Sequence, residues 1–290
     1  MPPLARLHRT HVLEIEDMPA CPSWLRGGVT AIIVTFARSL GVVKVLQHQL
    51  ARFLSETKQT EIVDLGSGAG GLMPEVVEAL RAHPETASTQ LTLTDKYPNP
   101  ETVAHFDALA LPHVRYRAES IDATTGAKPV DASTEAEVAG AARGGVPVGL
   151  RTMINAFHHL RPEEARQLLA ASQAARQPIF IYELTDNRIP FAVWLLTLPL
   201  GLAVTFLMGL VFGAMVRPMT PSRLLWTYLL PIYPLVYAWD GQASMPRIYG
   251  TKDIEALLAG LKSEDWVWDY GPATNAEGKA VGIYLSGRPS

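Results

Sequence analysis

The chain has 290 residues, 48% of them hydrophobic and 18% charged, which is enough apolar material for one large packed domain or two small ones and excludes disorder throughout. A formal net charge of -3 and a pI near 6.2 supply no general positive field for phosphate backbones, so no nucleic-acid partner is expected. The single cysteine, Cys21, can form no intrachain disulfide, and no zinc-type Cys/His spacing occurs, so neither a disulfide nor a metal is expected and the composition suits a reducing, cytoplasmic setting.

Arg6, His8, Arg9, Glu14, Glu16 and Asp17 interrupt the first twenty residues, which lack the apolar run of a secretory signal and read as a mature N-terminus. Residues 24 to 57 predict two helices, since Ile32, Ile33, Phe36 and Leu40, then Val45, Leu46, Leu50, Phe53 and Leu54, recur at helical spacing. With the preceding segment they make an N-terminal helical cap over residues 1–58. Glu61 to Leu65 predicts a short strand, followed by the glycine turn Gly66-Ser67-Gly68-Ala69-Gly70-Gly71 and a helix through Val76, Val77 and Leu80. Further strands are expected at Gln90 to Thr94, ending on Asp95; at Val114 to Ile121, ending on Asp122; and at Arg151 to Phe157, ending on His158 and His159. Residues 123 to 149 are rich in Ala, Gly and Thr and predict a loop with one weak helix around Thr134 to Ala142.

After a helix at Pro162 to Ala175, a fifth strand is predicted at Pro178 to Leu184. A helix from about Lys252 to Leu261 and an antiparallel hairpin, Trp266 to Tyr270 with Ala280 to Leu285, close the chain. Strands alternating with helices imply a parallel sheet. The core then comprises residues 59–187 and 250–290, interrupted by an insertion at 188–249.

A glycine turn that opens a helix after a strand lets a ligand approach the backbone at the positive end of the helix dipole. Gly66, Gly68 and Gly71 also satisfy the dinucleotide pattern G-x-G-x-x-G, with Asp95 as a ribose partner, so a nicotinamide-dependent oxidoreductase is the alternative enzyme. Asp64 discriminates by its sign. A carboxylate at the carboxyl end of the first strand repels a pyrophosphate, whereas it stabilises the cationic amino group and sulfonium of S-adenosylmethionine.

Val63-Asp64-Leu65-Gly66-Ser67-Gly68-Ala69-Gly70 resembles the first motif of the class I S-adenosylmethionine-dependent methyltransferases, an acid followed by alternating glycines. The resemblance continues with Leu91-Thr92-Leu93-Thr94-Asp95, with Ser120-Ile121-Asp122-Ala123, and with Ile154-Asn155-Ala156-Phe157-His158-His159-Leu160. It implies a Rossmann-like seven-stranded, mostly parallel sheet with a closing antiparallel hairpin. It also implies S-adenosyl-L-methionine as cofactor, held by Asp64, Gly66, Ser67, Gly68, Gly70, Asp95, Lys96, Asp122, Ala123 and Asn155, with Asp95 on the ribose hydroxyls and Asp122 near the adenine amine. Met73-Pro74 departs from a regular helix start, but proline is tolerated in a first turn.

His158 and His159, at the open end of the fourth strand, and Glu183, at the end of the fifth, are the candidate catalytic groups, because histidine titrates near neutrality and can accept or orient a proton. On a strand, adjacent side chains point oppositely, so one of the two histidines is expected to face the site. Trp239-Asp240-Gly241, Arg247 and Tyr249 are candidates to place an acid, a base and aromatics beside the acceptor, with a plain turn at Asp240-Gly241 as the other reading.

The segment Ile189 to Val216 carries no charged side chain and is long enough to span a bilayer, and Gly209 and Gly213 allow another helix to approach closely. Leu224 to Ala238 is shorter and is expected to be kinked by Pro231 and Pro234, with Trp226, Tyr228, Tyr233, Tyr237 and Trp239 suited to an interface. The last two strands must rejoin the sheet, so a single crossing is excluded, leaving a membrane hairpin, an interfacial helix pair or a lid. The acceptor is accordingly expected to be a hydrophobic or lipid-like small molecule at the cytoplasmic face of a membrane. A dimer interface would bury the same surface, and a non-catalytic, membrane-associated cofactor-binding protein is the alternative outside enzymes.

Overall fold

The computed structural model describes residues 7–18, 20–124 and 146–290. The weak helix expected around Thr134 to Ala142 lies outside the described residues. Seven strands form one sheet in the order β3-β2-β1-β4-β5-β7-β6. The strands are β1 (Glu61–Leu65), β2 (Gln90–Thr94), β3 (Val114–Tyr116), β4 (Leu150–Ile154), β5 (Ile179–Glu183), β6 (Trp266–Thr274) and β7 (Ala280–Pro289). The first five are parallel, and β7 pairs antiparallel with both β5 and β6. This is the Rossmann-like sheet with a closing antiparallel hairpin that the sequence predicts.

Strand period sorts the core into two faces. Ile62, Leu91, Leu93, Phe180 and Tyr182 turn to one face, where they meet Leu46 and Leu50 of α2 (Val42–Thr57), Val76, Val77 and Leu80 of α3 (Met73–Arg81) and Phe106 of α4 (Pro100–Leu109). Val63, Met153, Ile179 and Ile181 turn to the other, against Leu168 and Leu169 of α5 (Pro162–Ala174) and Ile254, Leu257 and Leu258 near the chain's end. Full burial of each such side chain contributes about 1.5–3 kcal/mol.

A third apolar cluster lies outside the sheet. It joins α1 (Ser23–Ser39), α6 (Phe191–Met215) and α7 (Ile232–Ser244) through Leu25, Val29 and Ile32 of the first, Met208 and Phe212 of the second and Tyr233, Val236 and Tyr237 of the third. Trp24 stacks on Trp226 at 4.8 Å between ring centroids, and Phe36 meets Phe212 at 5.1 Å. Gly209 and Gly213 do permit close approach. A Cβ would lie 2.9 Å from Cα of Pro234 at the first and 2.7 Å from Thr227 at the second, so larger residues there would push α6 away from its neighbours. The expected kink is present: one turn, Pro221–Leu224, and a π-type turn, Leu225–Leu229, end at Leu230, and α7 begins after Pro231. Between α7 and β6 runs α8 (Thr251–Leu258).

Several boundaries differ from the sequence reading: the closing strands run on to Thr274 and Pro289 and the last helix stops at Leu258, and further differences bear on the site. The third strand ends at Tyr116 and the fourth at Ile154. His158 and His159 therefore sit in a 3-10 turn, Phe157–His159, where side chains do not alternate and both rings come to one side with centroids 4.3 Å apart. Asp240-Gly241 is no turn but part of α7, because its flanking apolar residues continue the helical face that packs on α1 and α6.

Candidate active site

The carboxyl ends of β1, β2 and β4 surround the glycine turn. Gly66, Gly68, Gly70 and Gly71 all have positive φ, at 69°, 52°, 91° and 56°. Gly70 is the most constrained, since a Cβ there would lie 2.6 Å from the Phe106 ring that supports the turn from below. At Gly68 a Cβ would meet nothing within 4 Å, so the turn presents bare backbone to open space.

Ser67 fastens this turn. Its Oγ donates to Oδ2 of Asp64 at 2.7 Å and accepts from the Thr94 amide at 3.1 Å, which ties the end of β1 to the end of β2. Ser67 is thus buried and faces the sheet edge. Asp64 is itself buried, and Thr152 of β4 donates to its Oδ1 at 2.7 Å. Burial raises the Asp64 carboxyl to about 6, against the lowering effect of the Thr152 and Ser67 hydrogen bonds and with a further push from the charge of Asp95. Both its oxygens keep a second lone pair beneath the turn.

Asp95, half-buried just past β2, accepts the Gly68 amide at 2.8 Å through Oδ2 and the Tyr97 amide at 2.7 Å through Oδ1. The loop after β3 is fastened alongside it, with the Ile121 amide donating to the Asp95 carbonyl at 2.9 Å. Lys96 and Asp122 form an ion pair of 2.7 Å across the same mouth. Asp122 also accepts from the amide and hydroxyl of Thr124, which leaves Ala123 at the crest of that turn. Asn155 adopts a left-handed φ of 52° past β4 and accepts the Leu184 amide at 2.8 Å, so it braces β4 to β5. The residues expected to hold a cofactor are therefore brought together on one sheet edge. Ser67 and Asn155 bear on the protein's own backbone there.

These residues fit an adenosyl donor. They offer bare turn backbone, a buried carboxylate below it and a half-exposed carboxylate at the neighbouring strand end. Asp64, Asp95 and Asp122 put negative charge around the turn, and of these Asp122 is paired with Lys96.

Next to this crevice, at the β4–β5 edge, is a second polar group. Oε1 and Oε2 of Glu183 receive the His158 amide at 3.0 Å and its Nδ1 at 2.8 Å. His158 Nε2 faces Oε1 of Glu14 at 3.8 Å. His159 Nδ1 lies 2.7 Å from Asp17 and 3.4 Å from Glu14. Arg247, fully buried, reaches Asp17 at 2.7 Å and Glu14 at 3.1 Å. Asp240 accepts the amides of Ile15 and Glu16 at 2.7 and 3.0 Å, which holds residues 7–18 over this edge. Arg9 donates to the carbonyls of Arg247 and His158 and lies 4.3 Å from the Tyr249 ring centroid. Burial raises Glu14 to about 7, partly offset by His159 and Arg247. In Asp17 burial is outweighed by His159 and Arg247, which hold its carboxyl well below the usual range.

His158, His159 and Glu183 thus come together with Arg247, Tyr249 and Asp240. Tyr182 does not join them: its hydroxyl turns to the opposite face and donates to the Val281 carbonyl at 3.0 Å. Glu14, Asp17 and Arg9 enter the cluster although in the sequence they read only as interruptions of an apolar N-terminus. The contacts that carry them, Arg9 to the His158 carbonyl, Asp17 to His159 and Glu14 to both histidines, connect residues more than 140 positions apart and leave no local pattern.

No family model and no curated protein sequence matches the chain. Among solved structures it is similar to the plantazolicin methyltransferase BpumL in complex with SAH, at 12% identity and a TM-score of 0.53, over 94% of this chain and 91% of that one. The same enzyme in complex with a monoazolic desmethylPZN analog and SAH matches at 12% identity and a TM-score of 0.52, over 94% and 90% of the two chains. The strand order, the closing hairpin and this likeness agree, and the chain has the Rossmann-like fold of the class I S-adenosylmethionine-dependent methyltransferases.

Proposed function

We propose that the chain transfers a methyl group from S-adenosyl-L-methionine to a hydrophobic or lipid-like small molecule at the cytoplasmic face of a membrane. The observation that carries the reaction is the buried Asp64 beneath an open glycine turn with Asp95 at the adjoining strand end, in a fold shared with a methyltransferase held with SAH. The donor supplies a methyl group already activated on a sulfonium. The chain's part is to bind, orient and keep water out, which for an in-line displacement supplies much of the rate.

In this reading Asp64 offers negative charge to the donor's cationic end, and the Gly66 and Gly68 backbone admits it closely. Asp95 takes the ribose hydroxyls, sharing its oxygens with the amides it already accepts. Asp122, Lys96 and Ala123 border the adenine side. His158, His159 and Glu183 close the acceptor end of the crevice and set its polarity.

The outer face of α6 supports the membrane part. Phe191–Met215 has a mean hydropathy of 2.2 over its most apolar window, and 6% of that window is buried. At 1.5 Å per residue the helix is about 37 Å long. Leu196 and Leu200 are 81% and 69% exposed, beside Leu195, Leu207, Val211 and Met215. Such a continuous apolar face exceeds what a water-facing surface ordinarily carries. Both ends of the insertion return to the sheet, so α6 would lie in the interface or dip and return. An oligomer burying the same face is the competing outcome.

Calorimetric titration with S-adenosylhomocysteine, run beside NADH on wild type and Asp64→Asn, tests the cofactor. Binding of the former alone, weakened by the substitution, is expected, and binding of NADH alone would overturn the reading. Flotation with vesicles of mixed neutral and anionic phospholipid tests the membrane part. Wild type should float and Leu196→Glu/Leu200→Glu should not. Wild-type protein that stays unbound as a dimer would assign the face to a second copy.

A further inference from the structure

The cluster around Glu14 gathers more carboxylates than guanidinium groups. Glu14, Asp17 and Glu183 contact the two histidines, and the guanidinium that touches these carboxylates among the described residues is that of Arg247. With neutral imidazoles, three carboxylates against one guanidinium leave two negative charges. Once Arg247 pairs with Asp17, the carboxylates that remain, Glu14 and Glu183, are 3% and 6% exposed, whereas Asp17 and His159 at the rim are 31% and 33% exposed. Uncompensated charge at such burial costs several kcal/mol per ion, so either protons on Glu14 and the imidazoles or a bound cation must answer it.

The geometry bears on which. Oε1 of Glu14 is buried and accepts no hydrogen bond among the described residues, although Arg247 Nη1 is 3.1 Å away. His158 Nδ1 is engaged by Glu183 at 2.8 Å, which turns Nε2 toward that same Glu14 oxygen. A carboxylate that fixes one nitrogen of a histidine and aims the other is how metal-binding imidazoles are oriented. His159 stands beside it, and one ligand atom each from Glu14, His158 and His159 lie within 4.8 Å of one another. Ligands about 2.0–2.2 Å from a common ion are separated by roughly 3–3.6 Å, so the widest pair would close by as much as about 1–2 Å, with His159 sharing or releasing Asp17, to bring all three onto one centre.

We propose that Glu14, His158 and His159 bind one divalent transition-metal ion, with Glu183 holding His158 in the ligating orientation. Two imidazoles and a carboxylate select a borderline cation such as Zn2+ or Co2+ over Mg2+ or Ca2+. Arg247 stays paired with Asp17, and the ion answers the charge that remains. Because Glu14 belongs to residues 7–18 and the histidines to the turn after β4, the ion would clamp the N-terminal segment across the sheet edge. No zinc-type spacing marks the site, since Glu14 lies more than 140 residues from the two adjacent histidines. The inference does not depend on methyl transfer.

The test is metal binding to the full chain after chelator dialysis. Titration with Co2+ should give one equivalent with visible absorption of a low-coordinate nitrogen and oxygen site, displaced by Zn2+. Glu14→Gln should weaken Zn2+ at least tenfold, and Glu183→Gln by about 10–100-fold, as loss of an orienting carboxylate does. His83→Ala, an exposed histidine elsewhere, should leave affinity unchanged. Chelation of wild type should speed proteolysis within residues 7–18, a readout that needs no variant. Absence of a stoichiometric Co2+ spectrum would overturn the proposal, as would equal Zn2+ affinity in wild type and folded Glu14→Gln. Failure of S-adenosylhomocysteine to bind while Co2+ binds would sink the methyltransferase reading and leave this one standing.

Discussion

The sheet and the α1/α6/α7 layer are both built from apolar residues, but they use them differently. In the sheet the inward side chains pack on α2, α3 and α4 on one face and on α5 and α8 on the other, and both faces are covered. In the helical layer α6 spends its small residues, Gly201, Gly209 and Gly213, on close approach to α7 and its neighbours and turns its leucines outward. A folding core puts leucine inside and glycine where the backbone must bend. The reversal leaves the large side chains of α6 exposed among the described residues, and this is the face that the proposed membrane association would cover.

That contrast breaks first at Leu80 and Leu200. Leu80→Ala, at a fully buried position of α3, should destabilise the protein by about 2–5 kcal/mol in urea melts, through lost burial and a residual cavity. If it costs no more than an exposed change, the sheet is not the stability core described above. Asp95→Ala acts on binding instead, and donor affinity should fall by about 1.5–3 kcal/mol through loss of hydrogen bonds to a charged acceptor, with little change in melting temperature. Unchanged affinity would remove Asp95 from the site.

A smaller effect comes from Asp64, whose carboxyl is raised to about 6. Thr152, Ser67 and Asp95 face it from β4, the turn and β2. Between 3.8 and about 6 the folded protein holds a proton that the unfolded chain has released, so the stabilisation this proton gives is full at low pH and lost as pH rises through about 6. A cationic donor prefers the carboxylate. Donor affinity should therefore be flat above pH 7 and fall below about 6 toward tenfold per pH unit, and Asp64→Asn should remove the slope. Leu200→Ala closes the series. At 69% exposure it should alter stability by no more than about 0.5 kcal/mol while weakening vesicle flotation. A cost like that of Leu80→Ala would mean that the outer face is packed after all.

The crevice was legible because its parts are local. Asp64, the glycines and Asp95 each stand at a strand end that alternation and turn chemistry mark in a few residues. The insertion was legible from its lack of charge, and glycine spacing signalled a close helix contact at Gly209, though not that Pro234 would be its partner. The histidine turn was read as strand because Phe157 and its neighbours are apolar enough to continue β4, whereas the chain leaves the sheet at Asn155, whose φ of 52° no strand permits. Glu14 and Asp17 were illegible for a different reason. Their meaning depends on Arg247 and His159 across the fold, and an isolated acid in a polar segment carries no sign of such a partner.

The closing hairpin also sets the order in which the molecule can be finished. Tyr182 of β5 faces Tyr284 of β7, so one edge of β5 has no backbone partner until residues 280–289 have been synthesised, about a hundred positions and the whole greasy insertion later. During that interval a flat, apolar strand edge and an uncovered α6 coexist on one nascent chain, two surfaces that each invite association with other chains. If α6 enters a membrane surface as proposed, doing so while the ribosome is still at work would remove one hazard before the last strand arrives to remove the other.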